Sequence, residues 1–320
     1  MKILVAGGAG YIGSVLVPKL LERSYDVNVV DLLWFGNNLP DEVPVIEKDI
    51  VKLREKDLEG YDQVIFLAGI SNDPMAEYSP SMNFVENGSV PAYLAYIAKR
   101  SGVSRYIYGS SCSIYGYTVN ELYDETMPTV SSHPYGISKL QGEFASMQMQ
   151  DDNFSVISLR QGTVSGYSPR MRFDLIVNTM FKSAVSTGEI VVNNPAIWRP
   201  VLAIQDAVSG YIRAVEANDN LSGVFNIASG NFTVGEVADY VKAAVQKYMD
   251  IDTKITIKHL QDYRNYKVSI RKIMDVLSYK PMNNIDSIIR ELVEHLESFE
   301  DFQNDSYYNI NTFKKILSDK

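Results

Sequence analysis

Residues 7–13 read Gly7-Gly8-Ala9-Gly10-Tyr11-Ile12-Gly13, and this turn constrains the fold more than any other part of the chain. A short apolar run, Lys2–Ala6, precedes it. A helical pattern follows from Tyr11 to about Arg23, with Ile12, Val15, Leu16, Leu20 and Leu21 at helical spacing. Gly7 permits the sharp turn, Gly10 lets backbone approach a pyrophosphate, and Gly13 lets helix and strand pack closely. The helix start, at Tyr11 and Ile12, offers free N–H groups and a positive dipole end to phosphate. Asp31 ends the second strand, 18 residues after Gly13. A carboxylate there binds both ribose hydroxyls of NAD and repels the 2′-phosphate of NADP, and no arginine follows it directly. NAD is therefore the expected cofactor. Asp49, followed by Ile50, is a candidate adenine contact, and Trp34 and Phe35 are expected to fill core.

The first half alternates strand and helix signals. Asp26–Val30, Gln63–Ala68, Arg105–Tyr108 and Phe154–Leu159 are short apolar runs, and Ser81–Ser101 and His133 to about Gln150 carry helical patterns. This alternation predicts an α/β fold, a Rossmann-type doubly wound parallel sheet, over residues 1–160. Residues 161–320 predict a smaller mixed α/β substrate-binding region, with some chain returning to the sheet. Its helices are expected near Phe173–Thr187, Gln205–Ala217, Thr233–Met249 and Asp286–Phe299. Its strands are expected at Ile190–Val192, Val224–Ile227 and Ile255–Ile257. The tail beyond Glu300, rich in Asn, Asp and Tyr, is expected to be loosely held.

A net charge of −9 and a pI near 5.0 argue against a nucleic-acid groove or an anionic membrane surface. An anionic ligand then needs a local group of arginines. The single cysteine, Cys112, excludes an internal disulfide and fits a reducing compartment. The apolar opening run is broken by glycines, with no A-x-A-like site after it, and no stretch reaches bilayer length. A cytoplasmic protein is expected. His133, His259 and His295 do not cluster, so no metal site is expected.

Tyr135 and Lys139 stand at i and i+4 in Pro134-Tyr135-Gly136-Ile137-Ser138-Lys139. On a helix they share a face. A free phenol titrates near 10 and is a poor base at neutral pH. An ammonium about 4 Å away favours phenolate by about 4 kcal/mol at an effective dielectric of about 20, which predicts a strongly lowered Tyr135 pKa. Alone, such a pair is usually a solvated helix face. Ser111 adds to it, in the small-residue turn Gly109-Ser110-Ser111-Cys112-Ser113-Ile114-Tyr115-Gly116 that leaves the strand at Arg105–Tyr108. The carboxyl end of a parallel strand is where ligands bind in such sheets. Ser111 is expected to bond a substrate oxygen beside Tyr135.

Together these motifs resemble the extended short-chain dehydrogenase/reductase superfamily, in its NAD-dependent nucleotide-sugar epimerase/dehydratase branch. The resemblance covers nearly the whole chain and includes Phe66-Leu67-Ala68-Gly69 and Asn87. It implies Tyr135 as base, Ser111 and Lys139 as its assistants, and Leu67, Ala68, Gly69, Asn87, Tyr135 and Lys139 around the cofactor. Asn87 is also implied to hold the active-site helix. In the second half, Arg160 and Thr163 resemble the strand and turn that touch the sugar. Asn178 stands where family members hold the nucleotide, and Arg199 and Arg264 match diphosphate-binding arginines, whose forked donors suit phosphate oxygens. Ser168-Pro169-Arg170-Met171-Arg172-Phe173-Asp174 is similar to a subgroup of epimerase-like proteins and a GDP-heptose dehydrogenase. The resemblance also implies a homodimer through the helices at 81–101 and 134–150.

The implied shared step is hydride transfer from a sugar carbon to NAD as Tyr135 takes the hydroxyl proton. A 4,6-dehydratase of this branch carries Asp-Glu after the residue matching Ser111, where this chain has Cys112-Ser113. Dehydration is therefore discounted. An epimerase is the first reading and a nucleotide-sugar dehydrogenase or ketoreductase the alternative. A non-catalytic NAD-sensing protein would not need Tyr135 and Lys139.

Overall fold

The computed structural model describes residues 1–258, 264–299 and 301–318, so His259 lies outside the described residues. Seven strands form its central sheet: β1 (Lys2–Ala6), β2 (Asp26–Asp31), β3 (Val45–Glu47), β4 (Gln63–Phe66), β5 (Arg105–Ser111), β6 (Ser155–Gln161) and β7 (Gly223–Ile227). Their order is β7-β6-β5-β4-β1-β2-β3, and every pairing is parallel. The middle strands read as unbroken apolar runs because helices cover both faces. On one face Val5, Ile107 and Leu159 pack with Leu16 and Ile212 from helices Gly13–Leu21 and Ile204–Val215. On the other, Leu4, Phe66, Tyr106 and Val156 pack with Leu94 from helix Val90–Arg100. Strand order reverses between β1 and β4, and a reversal of this kind opens a crevice beyond the carboxyl ends of the strands. Gly7, Asp31, Leu67, Ser111 and Gln161 all stand at or just past those ends.

The second half does not stay apart. Its strand β7 extends the sheet beyond β6, which is the return of chain to the sheet expected for this half. The remaining strands build a three-stranded sheet (Thr163–Ser165, Trp198–Ala203, Gly230–Thr233) and two pairs, Glu189–Val192 with Lys254–Ile257 and Tyr117–Tyr123 with Asn265–Val268. Helices Ile176–Thr187, Val234–Met249 and Ile285–Glu294 bury Phe181, Val241 and Ile289 in a further core over them.

Two expectations are corrected. The helix expected over 81–101 is interrupted: Pro80–Phe84 is followed by a π-turn, Val85–Ser89, and only then by Val90–Arg100. Such turns insert one residue per turn and re-aim a side chain, here Asn87. The tail is not loose through its described part, because Asn309–Ser318 is a helix whose Phe313 is fully buried between Trp34 and Tyr78.

Candidate active site

The crevice is one continuous cavity of about 710 Å³. The glycine turn forms its floor. Gly7 has φ +80°, and a Cβ there would lie 2.4 Å from the Ala68 nitrogen. A Cβ on Gly13 would lie 2.3 Å from the Gly8 carbonyl oxygen. Gly10 faces the cavity, where only Gly7 O approaches its missing Cβ, at 3.1 Å. Tyr11, Ile12, Asp49, Ile50, Leu67, Ala68 and Gly69 also line the cavity. Asp31 lines it while tying two loops together: its carboxylate accepts the Ala9 N–H at 3.0 Å and the Leu33 N–H at 2.9 Å. Burial raises its pKa, and these N–H groups and Arg170 oppose that rise. Asp49 accepts the N–H of Val51 at 3.1 Å, capping its own short turn.

At the ends of neighbouring strands, Ser110 Oγ and Gln161 Oε1 are buried on the cavity wall without a hydrogen-bond partner among the described residues. Buried polar atoms are seldom left so. A glycine cradle, a carboxylate at the end of β2 and two unfilled polar atoms beside the Tyr135 helix together fit a dinucleotide along this crevice.

Helix Pro134–Met147 forms one side wall and presents Tyr135 and Lys139 to the cavity. Proline at its first position suits the helix start, where an N–H is unpaired in any case. The helix is pinned from behind. Asn83 donates to Pro134 O at 2.9 Å, and Ser138 donates to Asn83 Oδ1 at 3.0 Å. Asn87 bonds both backbone groups of Ile70 and reaches Ser138 at 3.3 Å, while its edge lines the cavity. Further along, Glu143 pairs with Arg160 of β6 at 2.6 Å, both nearly inaccessible to water. Arg160 also donates to Tyr115 at 2.7 Å. It does not line the cavity, so the sugar-contacting role implied for it is corrected: this arginine clamps the helix to the sheet.

Ser111 stands on the cavity wall beside Tyr135 and accepts the Ser113 hydroxyl at 2.9 Å. Cys112 points the other way, fully buried with its Sγ on Arg160 O, and burial pushes its thiol up. The position an elimination acid would occupy therefore faces the core.

The expected lowering of the Tyr135 pKa is corrected. Burial pushes its hydroxyl up to about 12, with the field of Asp73 adding to this and Arg172 and Ser111 opposing it. Burial also pushes Lys139 down to about 7, opposed by Glu143, and its ammonium lies 4.6 Å from the centre of the Tyr108 ring. A shared helix face brought the two groups to one cavity, but burial this deep penalises phenolate and ammonium alike.

The opposite wall comes from the second half. Thr163, Arg199 and Arg264 line the cavity. Arg199 donates to the carbonyls of Trp198 and Arg264 and lies against the Tyr266 ring. Asn178 is a correction. It is fully buried and off the cavity, with its amide bonded to Gly166, Tyr11 and Arg172 O, so it braces the 166–172 loop against the glycine turn. Trp34 fills core against Phe313 as expected while also lining the cavity, and Phe35 is the correction: it lines the cavity and carries the Arg170 guanidinium 3.6 Å from its ring centre.

Sequence reasoning missed several cavity residues. Asp73 pairs with Arg264 at 2.7 Å. Arg172 is held in a fork by Asp174, at 2.8 and 3.0 Å, and Asn72 bonds the same carboxylate at 2.9 Å. Asn309, from the C-terminal helix, links Ser71 to Arg170. The doubled arginine in 168–174 was the only local signal for any of these. Among the described residues no group of histidine, cysteine and carboxylate side chains could hold a metal ion, and no helix is long and apolar enough to cross a membrane.

The model of the NAD dependent epimerase/dehydratase family matches residues 3–228. The chain is 27% identical over 259 residues to a UDP-glucose 4-epimerase of Corynebacterium glutamicum, covering 75% of this chain and 79% of that protein. It is 28% identical over 295 residues to UDP-glucuronic acid decarboxylase 3 of Arabidopsis thaliana, covering 88% and 84%. Among solved structures, UDP-glucuronic acid 4-epimerase from Bacillus cereus, in complex with UDP-glucuronic acid and NAD, superposes with a TM-score of 0.80 at 22% identity, over 93% of this chain and 99% of that one.

Proposed function

The chain belongs to the NAD dependent epimerase/dehydratase family, and from that premise we propose that it is a UDP-hexose epimerase that works through a transient keto-sugar. The observation that carries this reading is the meeting of Tyr135, Ser111 and Lys139 on one wall of a cavity floored by the glycine turn, with Cys112-Ser113 directly after Ser111 where a dehydratase of this branch carries an acid pair.

The bound cofactor supplies a reversible hydride acceptor. Tyr135 takes the proton of the sugar hydroxyl and returns it when the alcohol re-forms. Ser111 bonds the same oxygen and keeps it in line with Tyr135. Lys139 would hold the cofactor's ribose, and although burial draws it down to about 7 against the opposing field of Glu143, its protonated form assists the phenolate. Arg199 and Arg264 grip the diphosphate, Thr163 touches the sugar, and Asp31 takes the adenosine ribose. Gripping the diphosphate would leave the sugar free to turn over between the two proton transfers at Tyr135.

The cofactor end favours an epimerase over a dehydrogenase. Arg170 on Phe35, and Asn309 between Ser71 and Arg170, line the Asp31 side of the cavity, where they would hinder cofactor release. A reaction that returns its hydride to the same sugar needs no cofactor exchange, whereas a dehydrogenase must release its cofactor at every turnover.

Incubation with UDP-glucose is expected to give UDP-galactose without accumulating NADH. Tyr135→Phe is expected to lower kcat about 10²- to 10⁴-fold while sugar-nucleotide binding changes little. Stoichiometric NADH would sink the epimerase in favour of the dehydrogenase, and unchanged turnover in Tyr135→Phe would sink the assigned base. The product is read by proton NMR.

A further inference from the structure

Asp73 is a cavity carboxylate whose field acts on Tyr135 and which the reaction above leaves unused. It sits on the cavity wall at the first position of helix Asp73–Tyr78, which Asn72 caps. Its field acts on both Tyr135 and Tyr266. One of its oxygens accepts Arg264 Nη1 across the cleft at 2.7 Å. The other, Oδ1, is buried and has no hydrogen-bond partner among the described residues. A buried acceptor left unpaired is destabilising, more so when charged. Such a cost is tolerable where a ligand removes it.

The neighbouring residues hold this arrangement in place. Pro74 fixes the chain after Asp73, and Asn72 is bonded to Asp174, the carboxylate that holds Arg172. The segment is thus tied to the second half at two points, Asp73–Arg264 and Asn72–Asp174. One of them involves an arginine already assigned to the diphosphate. A guanidinium between a carboxylate and an incoming diphosphate is drawn toward the greater negative charge.

We propose that Asp73 reads the sugar of the substrate: when Arg264 turns to the diphosphate, the freed carboxylate accepts a hydrogen bond from a sugar hydroxyl beside Tyr135 and turns away sugars that carry a carboxylate there. This rests on the reading of the cleft as a UDP-sugar site. An ionised acceptor rewards a hydroxyl donor and repels a second carboxylate, since unpaired like charges facing one another cost several kcal/mol.

The test is calorimetric titration of the cofactor-loaded protein with UDP, UDP-glucose and UDP-glucuronic acid. The wild type is expected to bind UDP-glucose more tightly than UDP and much more tightly than UDP-glucuronic acid. Asp73→Asn is expected to cut the preference for UDP-glucose over UDP-glucuronic acid by about tenfold or more. It is also expected to bind UDP itself as tightly or more tightly, because Arg264 is no longer shared. Asp73→Ser removes the same charge through a smaller side chain and must lose the same preference, which separates loss of the contact from a folding defect in either variant. The proposal is overturned if both variants keep the wild-type preference within about twofold. It is equally overturned if the wild type binds UDP-glucose no better than UDP, or binds the uronate as tightly as the hexose. Failure of the epimerase reading registers separately, as absent product in the turnover assay, and leaves these binding ratios interpretable.

Discussion

Lys139 shows how far a residue's chemistry is set by what surrounds it. In the unfolded chain it titrates near 10.4, and in the folded protein burial brings it down to about 7. Between those values the unfolded chain holds a proton that the folded chain has released, so this residue makes stability rise with pH from about 7 to about 10. Its cost to the fold is full below about pH 7 and fades above it. Lys139→Met removes the group. The variant's gain in melting temperature over wild type is therefore expected to be larger near pH 6 than near pH 9. Equal gains at both would assign the effect to packing and not to charge. Tyr135, pushed up to about 12, titrates outside this window.

At the scale of elements, the Tyr135 helix is positioned by polar contacts behind it more than by its apolar stripe. Its buried residues include Gly136, Ser138, Gly142 and Glu143. Glycines there admit close neighbours: a Cβ on Gly142 would meet Asn87 O at 2.2 Å. The Glu143–Arg160 pair then fixes the helix to β6. Removing one partner of such a pair leaves a buried charge alone, and Glu143→Gln is expected to cost about 3–5 kcal/mol in denaturant unfolding. The joint change Glu143→Leu with Arg160→Met is expected to recover most of that loss. If the double variant is as unstable as the sum of the singles, the pair contributes through its separate contacts to Ser158 and Tyr115.

At the scale of the whole molecule, the C-terminal helix completes a cavity whose floor lies at the N-terminus. The family's match ends at residue 228, yet Asn309 and Ile310 line the cleft. Phe313 anchors that helix between Trp34 and Tyr78, 6.0 and 6.1 Å from their ring centres. Phe313→Ala removes the anchor, at about 3–5 kcal/mol for a buried phenylalanine. The main sheet is expected to stay folded while NAD leaves about tenfold faster or more, as read by the loss of bound nucleotide on dilution. An unchanged release rate would mean that the helix does not retain the cofactor.

Much of this protein was legible in short spans of sequence. The turn at 7–13 declares itself because only glycine accepts φ +80° at Gly7 against Ala68, and only glycine leaves Gly13 room against Gly8. The strands of the sheet, the spacing of Tyr135 and Lys139, and the hydroxyl turn at Ser111 are likewise local, since each depends on residues a few positions apart. What only the tertiary structure decided is which side chains meet and how wet they are. Asp73 meets Arg264 across 191 positions, and Asn309 meets Ser71 across 238. Asn178 and Arg160, promising by position, turned inward to brace a loop and a helix. The Tyr135–Lys139 pair kept its place, but its ionisation reversed the expectation. A charge is stabilised or penalised by everything packed around it, and no spacing along the chain records that.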